Sequence, residues 1–249
     1  MRKKGQHFLV DRRIIERIAD YANLNSRDRV LEIGPGTGNL TEILSARAFH
    51  VTAVEVDRTL ASGLLDRFPN VDVICGDALR IDLPEYNKVV SNLPYQISSK
   101  ITFRLLGSPF ELAVLMYQKE FAERMVAHVG TKDYGRLTLS VWYYSSPEIL
   151  EYVPKSAFRP RPRVESAIVK LLPKIKRPPV DETLFLDLLR GLFGTRRKTV
   201  GRSLGNMGVP RETVARLDES VLQKRPERLA PEEMVMLAEQ ISSLQIKLQ

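Results

Sequence analysis

The feature of this sequence that most constrains its fold is a glycine-rich segment between an apolar run and a helical pattern. Residues 29–33 are predicted as a strand and residues 40–47 as a helix, and Gly34-Pro35-Gly36-Thr37-Gly38 joins the two. Glycine is required where the backbone turns sharply or where a ligand lies against the main chain, because a Cβ would collide there. This succession predicts a βα unit with a nucleotide-like ligand at its turn.

Short apolar runs and helical patterns continue to alternate along the first half of the chain. The further predicted elements are strands at 50–56, 71–75, 88–92 and 111–117, and helices at 11–22, 59–68 and 98–106. Such alternation predicts an α/β protein with a parallel, doubly wound sheet, in which ligands bind beyond the carboxyl ends of the strands. A helix at 137–144 and two strands, at 148–153 and 164–171, are predicted to follow, the strands closing the sheet as an antiparallel hairpin.

A proline-rich, basic stretch marks the predicted domain boundary. Residues 173–179 contain three prolines and three basic residues, so a regular element cannot easily pass through them. Beyond them the signals are only helical, at 184–193, 197–207, 211–216 and 231–244. We therefore predict a ligand-binding domain at residues 1–176 and a helical domain at residues 177–249.

The positive charge of the chain is concentrated towards its C-terminal end. The formal net charge is +8, and residues 151–249 hold 19 Lys and Arg against 12 Asp and Glu. A basic region of this kind is typical of proteins that bind a polyanion such as nucleic acid. The sequence thus predicts that the helical domain contacts nucleic acid.

Other classes of protein are disfavoured by what the sequence lacks. Cys75 is the only cysteine, so neither a disulfide framework nor a Cys-rich metal site is expected. No run approaches the roughly 18 apolar residues of a membrane-spanning helix, and the basic opening is not followed by the apolar core of a signal peptide. We expect a cytoplasmic protein without a metal ion or a membrane association.

Acidic residues follow the next two predicted strands. Glu55 lies 21 residues beyond Gly34, where an acid that accepts hydrogen bonds from ribose hydroxyls is expected. Asp77 follows the third strand and can accept a hydrogen bond from an adenine amino group. Asn39 stands where the dinucleotide fingerprint has its last glycine, and the Gly-Lys-Ser/Thr ending of a triphosphate loop is absent. These departures disfavour a dinucleotide and a triphosphate, and they favour another nucleoside-containing ligand.

The fourth strand runs into the motif Asn92-Leu93-Pro94-Tyr95. An exocyclic amine is a poor nucleophile because its lone pair is delocalised into the base. If the Asn92 side-chain oxygen and the Leu93 carbonyl accept its two hydrogens, the lone pair localises towards a methyl donor. Tyr95 can stack on a base that is unpaired or flipped out of a helix. The motif predicts methylation of a base amino group.

Five motifs in a fixed order resemble the KsgA-type ribosomal RNA adenine dimethyltransferase family. They are Gln6-His7-Phe8-Leu9, the segment 32–38, Gly76-Asp77-Ala78-Leu79, Asn92-Leu93-Pro94-Tyr95 and the segment 158–166. The resemblance covers nearly the whole chain and extends into a basic tail motif at 192–199. It implies a seven-stranded Rossmann-like class I methyltransferase sheet and a small all-helical C-terminal domain.

The resemblance also implies a methyl donor and the residues around it. The donor would be S-adenosyl-L-methionine, leaving S-adenosyl-L-homocysteine as product. The implied donor-binding residues are Gln6, His7, Leu9, Gly34, Gly36, Gly38, Glu55, Val56, Asp77, Ala78 and Asn92. The implied catalytic residues are Asn92, Leu93, Pro94, Tyr95 and Phe158, with Phe158 as the second wall of the target-base pocket. His7 stands where many bacterial members have Asn, which leaves its contact with the donor open.

The substrate implied by the resemblance is small-subunit ribosomal RNA within a partly assembled subunit, dimethylated at two adjacent adenosines near its 3′ end. A monomer is expected by default. The expected RNA-binding residues are Arg159, Arg161, Arg163, Arg196, Arg197, Lys198 and Arg202. Three alternatives stay open: a large-subunit enzyme of the macrolide-resistance type, an assembly factor that acts mainly by binding, and a dinucleotide oxidoreductase.

Overall fold

The computed structural model describes residues 6–244 and divides the chain into two compact units. The first unit comprises Met1–Ala122 and Ser145–Pro173, and the second comprises Glu123–Tyr144 and Lys174–Gln249. The chain enters the second unit for the last time at Lys174, three residues before the predicted start at residue 177. The sequence division did not anticipate that Glu123–Tyr144 belongs with the C-terminal helices.

The first unit is built on a seven-stranded sheet. Nine strands occur in the described residues: β1 (Phe8–Leu9), β2 (Arg29–Ile33), β3 (His50–Glu55), β4 (Val71–Cys75), β5 (Lys88–Asn92), β6 (Leu112–Gln118), β7 (Ser145–Val153), β8 (Phe158–Arg159) and β9 (Ser166–Pro173). The large sheet has the order β4-β3-β2-β5-β6-β9-β7. Strands β2 to β6 pair in parallel, whereas β9 pairs antiparallel with both β6 and β7. The predicted parallel sheet closed by an antiparallel hairpin is confirmed.

The strand order changes direction between β2 and β5. The chain runs outward from β2 through β3 to β4 and then returns to the other side of β2, where β5 pairs with it. At such a switch point the loops after the two neighbouring strands diverge and leave a crevice at their carboxyl ends. Gly34 follows β2 and Leu93 follows β5, so two of the sequence motifs lie at this crevice.

Helices cover the sheet of the first unit. They are α1 (Arg12–Tyr21), α2 (Asn39–Arg47), α3 (Arg58–Ser62) and α4 (Ser98–Leu106), and α5 (Lys119–Met125) follows β6. Helix α1 begins after Asp11, whose side chain accepts from the Arg13 N–H, and it buries Ile14 and Ile18 in the core. Helix α3 is shorter than the predicted 59–68. It ends before Gly63, and Asp66 has a positive φ of 59° that a helix does not tolerate.

The second unit is helical in its described residues. Its helices are α6 (Arg136–Tyr144), α7 (Glu182–Gly194), α8 (Val200–Asn206), α9 (Arg211–Val214), α10 (Glu219–Leu222) and α11 (Pro231–Ser243). Helices α6 and α7 pack together, with the Tyr143 and Phe185 rings stacked at a centroid distance of 4.9 Å. Helix α10 was not predicted from the sequence, although Asp218 caps it by accepting from the Ser220 N–H.

Candidate active site

A cavity of about 240 Å³ lies at the carboxyl ends of the parallel strands. Its walls come from the segment before α1, the glycine turn after β2, the end of β3 and the loop after β5. The lining residues are Gln6, His7, Phe8, Leu9, Glu32, Gly34, Pro35, Gly36, Thr37, Asn39, Leu40, Glu55, Val56, Leu60, Asn92, Leu93, Pro94, Tyr95 and Gln96. The cavity therefore brings together three of the five sequence motifs and the acid predicted to bind ribose.

The glycine turn is held between two of these motifs. Gly34 has a φ of +70°, and a Cβ on it would lie 2.8 Å from Cγ of Pro94. Gly36 has a φ of +60°, and a Cβ on it would lie 2.8 Å from Cδ1 of Phe8. Both positions need glycine for backbone conformation and for space. The turn can approach the Asn-Leu-Pro-Tyr loop and the N-terminal segment this closely only because it lacks side chains there.

Glu55 presents an immobilised carboxylate to the cavity. The residue is 4% exposed. Its Oε2 accepts from the Gly36 N–H at 3.1 Å and its Oε1 accepts from the Asp57 N–H at 2.9 Å. Each carboxylate oxygen can accept a further hydrogen bond. Glu55 is thus oriented to accept hydrogen bonds from vicinal hydroxyls.

Short contacts join the N-terminal motif to the segment 158–166. Strands β1 and β8 pair with Leu9 opposite Phe158, and His7 Nδ1 lies 2.8 Å from the Pro160 carbonyl oxygen. The Tyr95 hydroxyl lies 2.7 Å from Oγ of Ser166. Burial raises the pKa of Tyr95, and the Ser166 hydroxyl opposes the shift, so the phenol stays neutral and its ring is held at the cavity wall.

Four residues expected at the site do not line this cavity among the described residues: Gly38, Asp77, Ala78 and Phe158. Gly38 precedes α2 with a φ of +82°, and a Cβ there would collide with Leu64 Cδ2, so backbone conformation and packing explain the glycine. Asp77 accepts from the Leu79 N–H at 2.9 Å and lies 3.5 Å from Arg80.

The placement of Phe158 differs from its expected role as a wall of the base pocket. The residue is fully buried and belongs to the hydrophobic core of the first unit. Its role as the second wall of the target-base pocket stays a prediction. The hydrophobic side chain packs in the core because Leu9, its partner across the β1–β8 pair, holds the backbone there.

Several lining residues were missed by sequence reasoning. Glu32 is a charged residue inside an otherwise apolar strand, which was a usable signal, and it is buried at 2% exposure. Asn39 binds the N-terminal segment by donating from Nδ2 to the Leu9 carbonyl at 2.8 Å. Leu60 and Gln96 lie on a short helix and a loop without a periodic pattern, so nothing in the sequence indicated them.

The residues expected to bind RNA are mostly exposed in each unit. Exposed side chains are those of Arg159, Arg161, Arg163, Arg197, Lys198 and Arg202. Arg196 differs, because its guanidinium donates to the carbonyl oxygens of Lys132 at 2.6 Å and Thr131 at 2.9 Å. These bonds connect Arg196 to the loop before α6 in the same unit, so two of its nitrogens already have acceptors.

Residues 6–244 contain no group of three or more His, Cys, Asp or Glu side chains arranged to hold a metal ion. The same residues include no helix with the length and apolar character needed to cross a bilayer.

The first unit has the sheet order of a class I methyltransferase. It also has the cavity of that class at the switch point, with a glycine turn beside an acid at the end of the next strand. The match to a family model is more specific. Residues 1–242 match the model described as ribosomal RNA adenine dimethylase, and the chain belongs to that family.

Curated relatives cover almost the full length of the chain. A protein of Methanothermobacter thermautotrophicus, named probable ribosomal RNA small subunit methyltransferase A, is 50% identical over 98% of this chain and 91% of its own length. A relative of the same name from Methanosarcina mazei is 49% identical over 96% of this chain and 92% of its own length.

Two solved structures resemble the whole chain. A dimethyladenosine transferase from Plasmodium falciparum superposes with a TM-score of 0.87 at 32% identity, covering 97% of this chain and all of that one. The 23S rRNA methyltransferase ErmE superposes with a TM-score of 0.72 at 33% identity, covering 94% of this chain and 99% of that one. The predicted fold class and family resemblance are confirmed.

Proposed function

We propose that this chain transfers methyl groups from S-adenosyl-L-methionine to N6 of adenosines in small-subunit ribosomal RNA, forming dimethyladenosine. The observation behind the proposal is the shared cavity, in which Glu55 and the motif Asn92-Leu93-Pro94-Tyr95 line the same space as the glycine turn. A nucleoside site and an amine-binding motif thus meet at one place.

The chemistry of the cavity walls fits the donor. The backbone of Gly34 and Gly36 leaves space against the main chain, and Glu55 offers oxygens to a ribose. His7 and Leu9 line the same cavity and would adjoin the amino-acid end of the donor. Asp77 lies outside the lining of this cavity, after β4, and stays the proposed acceptor for the adenine amino group. When bound, the donor supplies a methyl group already activated by the sulfonium charge.

The residues of the chain act by placement more than by acid–base chemistry. Asn92 and the Leu93 carbonyl would accept the two hydrogens of the target amine, which directs its lone pair towards the donor. Tyr95 would hold the base by stacking, worth about 1–3 kcal/mol. No catalytic His or Lys is assigned, since the alkylated amine is acidic enough to lose its proton to water.

The proposed substrate is an adenosine lifted out of a folded RNA. A base inside a helix cannot reach the cavity, so the target is unpaired or flipped. Arg161 and Arg163 in the first unit, and Arg197 and Lys198 in the second, are exposed cations suited to phosphates. Arg196 is left out of this set because of its bonds to Thr131 and Lys132.

The finer points of the proposal rest on the named relatives. Small-subunit RNA is preferred over large-subunit RNA because the curated relatives named for the small subunit are 49–50% identical, against 33% for ErmE. The proposal also includes two adjacent adenosines near the 3′ end as targets and a partly assembled subunit as substrate. It further includes a monomeric enzyme and a cytoplasmic location.

Incubation with labelled S-adenosylmethionine and small subunits isolated without the modification tests the proposal. We expect label in dimethyladenosine after nuclease digestion, and no label in large-subunit RNA. Asn92→Ala should lower the rate of labelling roughly a hundredfold, because an acceptor for the amine is lost. This corresponds to an increase of about 3 kcal/mol in activation free energy. Subunit binding should persist.

The outcomes separate the candidate functions. Label in large-subunit RNA would favour the ErmE-like alternative. Subunit binding without label by the unchanged protein would favour an assembly factor that acts by binding. A thermal unfolding curve of Asn92→Ala that matches the unchanged protein is the control for folding.

A further inference from the structure

The Tyr95 ring is attached to the sheet through a pair of hydroxyl groups that the transfer chemistry described above does not use. The Tyr95 hydroxyl lies 2.7 Å from Oγ of Ser166, a residue that is 0% exposed. Ser166 begins β9, where it pairs with Gln118 of β6 on one side and with Val153 of β7 on the other. A strand that is paired on both sides moves less than a loop does. Ser166 is therefore a rigid anchor for a ring that is carried on a loop.

The residue before Ser166 is held to the same part of the sheet. Lys119, which follows β6, donates from its backbone N–H to the Glu165 carbonyl at 2.9 Å and from Nζ to Oε2 of Glu165 at 2.9 Å. These bonds join the start of β9 to the end of β6. Strand β6 pairs in turn with β5, which ends at Asn92. The anchor of the Tyr95 ring and the proposed acceptor for the target amine thus belong to neighbouring strands.

Dimethylation depends more on this ring in its second step than in its first. The unmodified amine has two N–H bonds, one for the Asn92 side-chain oxygen and one for the Leu93 carbonyl. After the first transfer one N–H bond remains, so only one of the two acceptors is used. A hydrogen bond between neutral groups contributes about 0.5–1.5 kcal/mol, and stacking on an aromatic ring contributes about 1–3 kcal/mol. With one hydrogen bond fewer, the orientation of the base depends mainly on Tyr95.

We infer that Ser166 is a positioning residue for the second methyl transfer, because its hydroxyl holds the Tyr95 ring against the monomethylated base. The inference rests on the proposed function, since it takes an adenine amine as the acceptor of two methyl groups. In the second transfer the N6 lone pair forms the bond to the methyl carbon, the carbon–sulfur bond breaks with its electron pair on sulfur, and the last N–H proton passes to water. Ser166 takes part in none of these bonds and acts only through Tyr95, by keeping N6 in line with the methyl group.

The distribution of methylated products tests the inference. Unmodified small subunits are incubated with Ser166→Ala and saturating S-adenosylmethionine, and the nucleosides are separated after digestion at successive times. We expect the first transfer to slow by no more than about threefold and the second by about tenfold or more, so that N6-monomethyladenosine accumulates. Tyr95→Phe keeps the ring and removes the same bond from its other side, so it should accumulate the same product. This second variant decides if Ser166→Ala does not fold.

Tyr117→Phe is the matched control. The Tyr117 hydroxyl lies 2.8 Å from Oγ1 of Thr102, so it also makes a buried hydrogen bond to a hydroxyl group, and neither residue lines the cavity. This variant should leave the ratio of monomethylated to dimethylated adenosine unchanged.

Two further measurements do not depend on methylation. Calorimetry should give the same dissociation constant of S-adenosylhomocysteine for Ser166→Ala and the unchanged protein, which shows that the donor site is intact. In urea, Ser166→Ala and Tyr95→Phe should each lower the unfolding midpoint, and the double variant should lose less than the sum of the two. The reason is that each single change leaves one hydroxyl without its partner, whereas the double change removes both.

The remaining results separate the inference from the proposed function. Equal slowing of both transfers in Ser166→Ala would overturn the inference, and so would accumulation of monomethyladenosine by Tyr117→Phe. Additive losses in urea would also overturn it, because the two hydroxyl groups would then not be coupled. Absence of label with the unchanged protein would instead contradict the proposed function.

Discussion

Gly34 links the glycine turn to the loop that is proposed to hold the target base. Its φ of +70° lies in the left-handed region, where a side chain costs roughly 1–2 kcal/mol, and a Cβ would press on Pro94. Because Pro94 stands between Leu93 and Tyr95, a displacement there would reach both proposed contacts of the base. One glycine thus influences donor binding and base placement together.

Gly34→Ala is expected to weaken S-adenosylhomocysteine binding by about tenfold or more and to destabilise the protein by on the order of 2 kcal/mol. Calorimetry and thermal unfolding measure the two effects. Gly107→Ala is the matched control, since that residue is right-handed and its nearest neighbours are 3.6 Å from a Cβ. Equal, small effects at both positions would show that the approach of Gly34 to Pro94 is unimportant.

Residues predicted to lie at the ends of the parallel strands are found at the cavity. Glu55 and Asn92 were predicted to lie at one edge of the sheet from spacing alone, and both line the cavity, although their roles remain predictions. Phe158 was predicted at the cavity from a motif, yet it lies in the core. The side-chain direction of a residue in a two-residue strand follows from long-range pairing, which local sequence does not reveal.

At the scale of elements, α4 holds the loop that follows β4. Arg104 donates from Nη1 to the Ala78 carbonyl at 2.6 Å and from Nη2 to the Ile81 carbonyl. This loop contains Asp77, the proposed adenine ligand. Since α4 directly follows the loop of Tyr95, the same helix supports the proposed donor-binding and base-binding loops.

Arg104→Ala should raise the dissociation constant of S-adenosylhomocysteine about tenfold, because hydrogen bonds from a charged group contribute roughly 1.5–3 kcal/mol. Lys100→Ala, an exposed change on the same helix, should leave the constant unchanged. A second measurement tests positioning of the adenine site specifically. Arg104→Ala should bind 5′-methylthioadenosine, which lacks the amino-acid moiety, more weakly by the same factor. An unaltered constant in Arg104→Ala would contradict this role of the helix.

The predicted elements show which local sequence signals are sufficient to identify a strand or a helix. The parallel strands and α4 were identified from runs and periodicity that extend over five or more residues. Strands β1 and β8 have two residues each and depend on pairing between segments about 150 residues apart, so no local pattern marks them. Helix α3 was predicted too long because Leu64 and Phe68 continue the apolar spacing after the helix has ended at Ser62.

On the scale of the whole molecule, the two ends of the strands in the first unit have different roles, one in ligand binding and the other in stability. The cavity lies at the carboxyl ends of its strands, whereas a buried ion pair lies at their amino ends. Lys88 Nζ is 2.9 Å from Asp28 Oδ2, and the two side chains are 8% and 3% exposed. Burial raises the pKa of Asp28, but hydrogen bonds from Asn87, Lys88 and the Asn25 N–H outweigh it and lower the pKa below its ordinary value.

Lys88→Met should lower the free energy of unfolding by about 3–5 kcal/mol, since it leaves a buried carboxylate without its cation. Urea unfolding measures this loss, and Lys170→Met, at the more exposed pair with Glu148, should cost less than about 1 kcal/mol. Because the pKa of Asp28 is lowered, its contribution is present above its unfolded pKa of about 3.9 and disappears as pH falls below it. Equal losses in both variants would contradict the importance of the buried pair.

The second unit is made from two stretches of chain, Glu123–Tyr144 and Lys174–Gln249, with β7 to β9 of the first unit encoded between them. Helix α6 supplies Tyr143, which stacks on Phe185, so the C-terminal helices lack part of their own interior without the earlier stretch. Recombination between relatives at a single point near residue 176 would therefore join helices from one parent to an α6 from the other. Three crossovers, one before Glu123 and one on each side of the intervening strands, are needed to exchange this unit as an intact body.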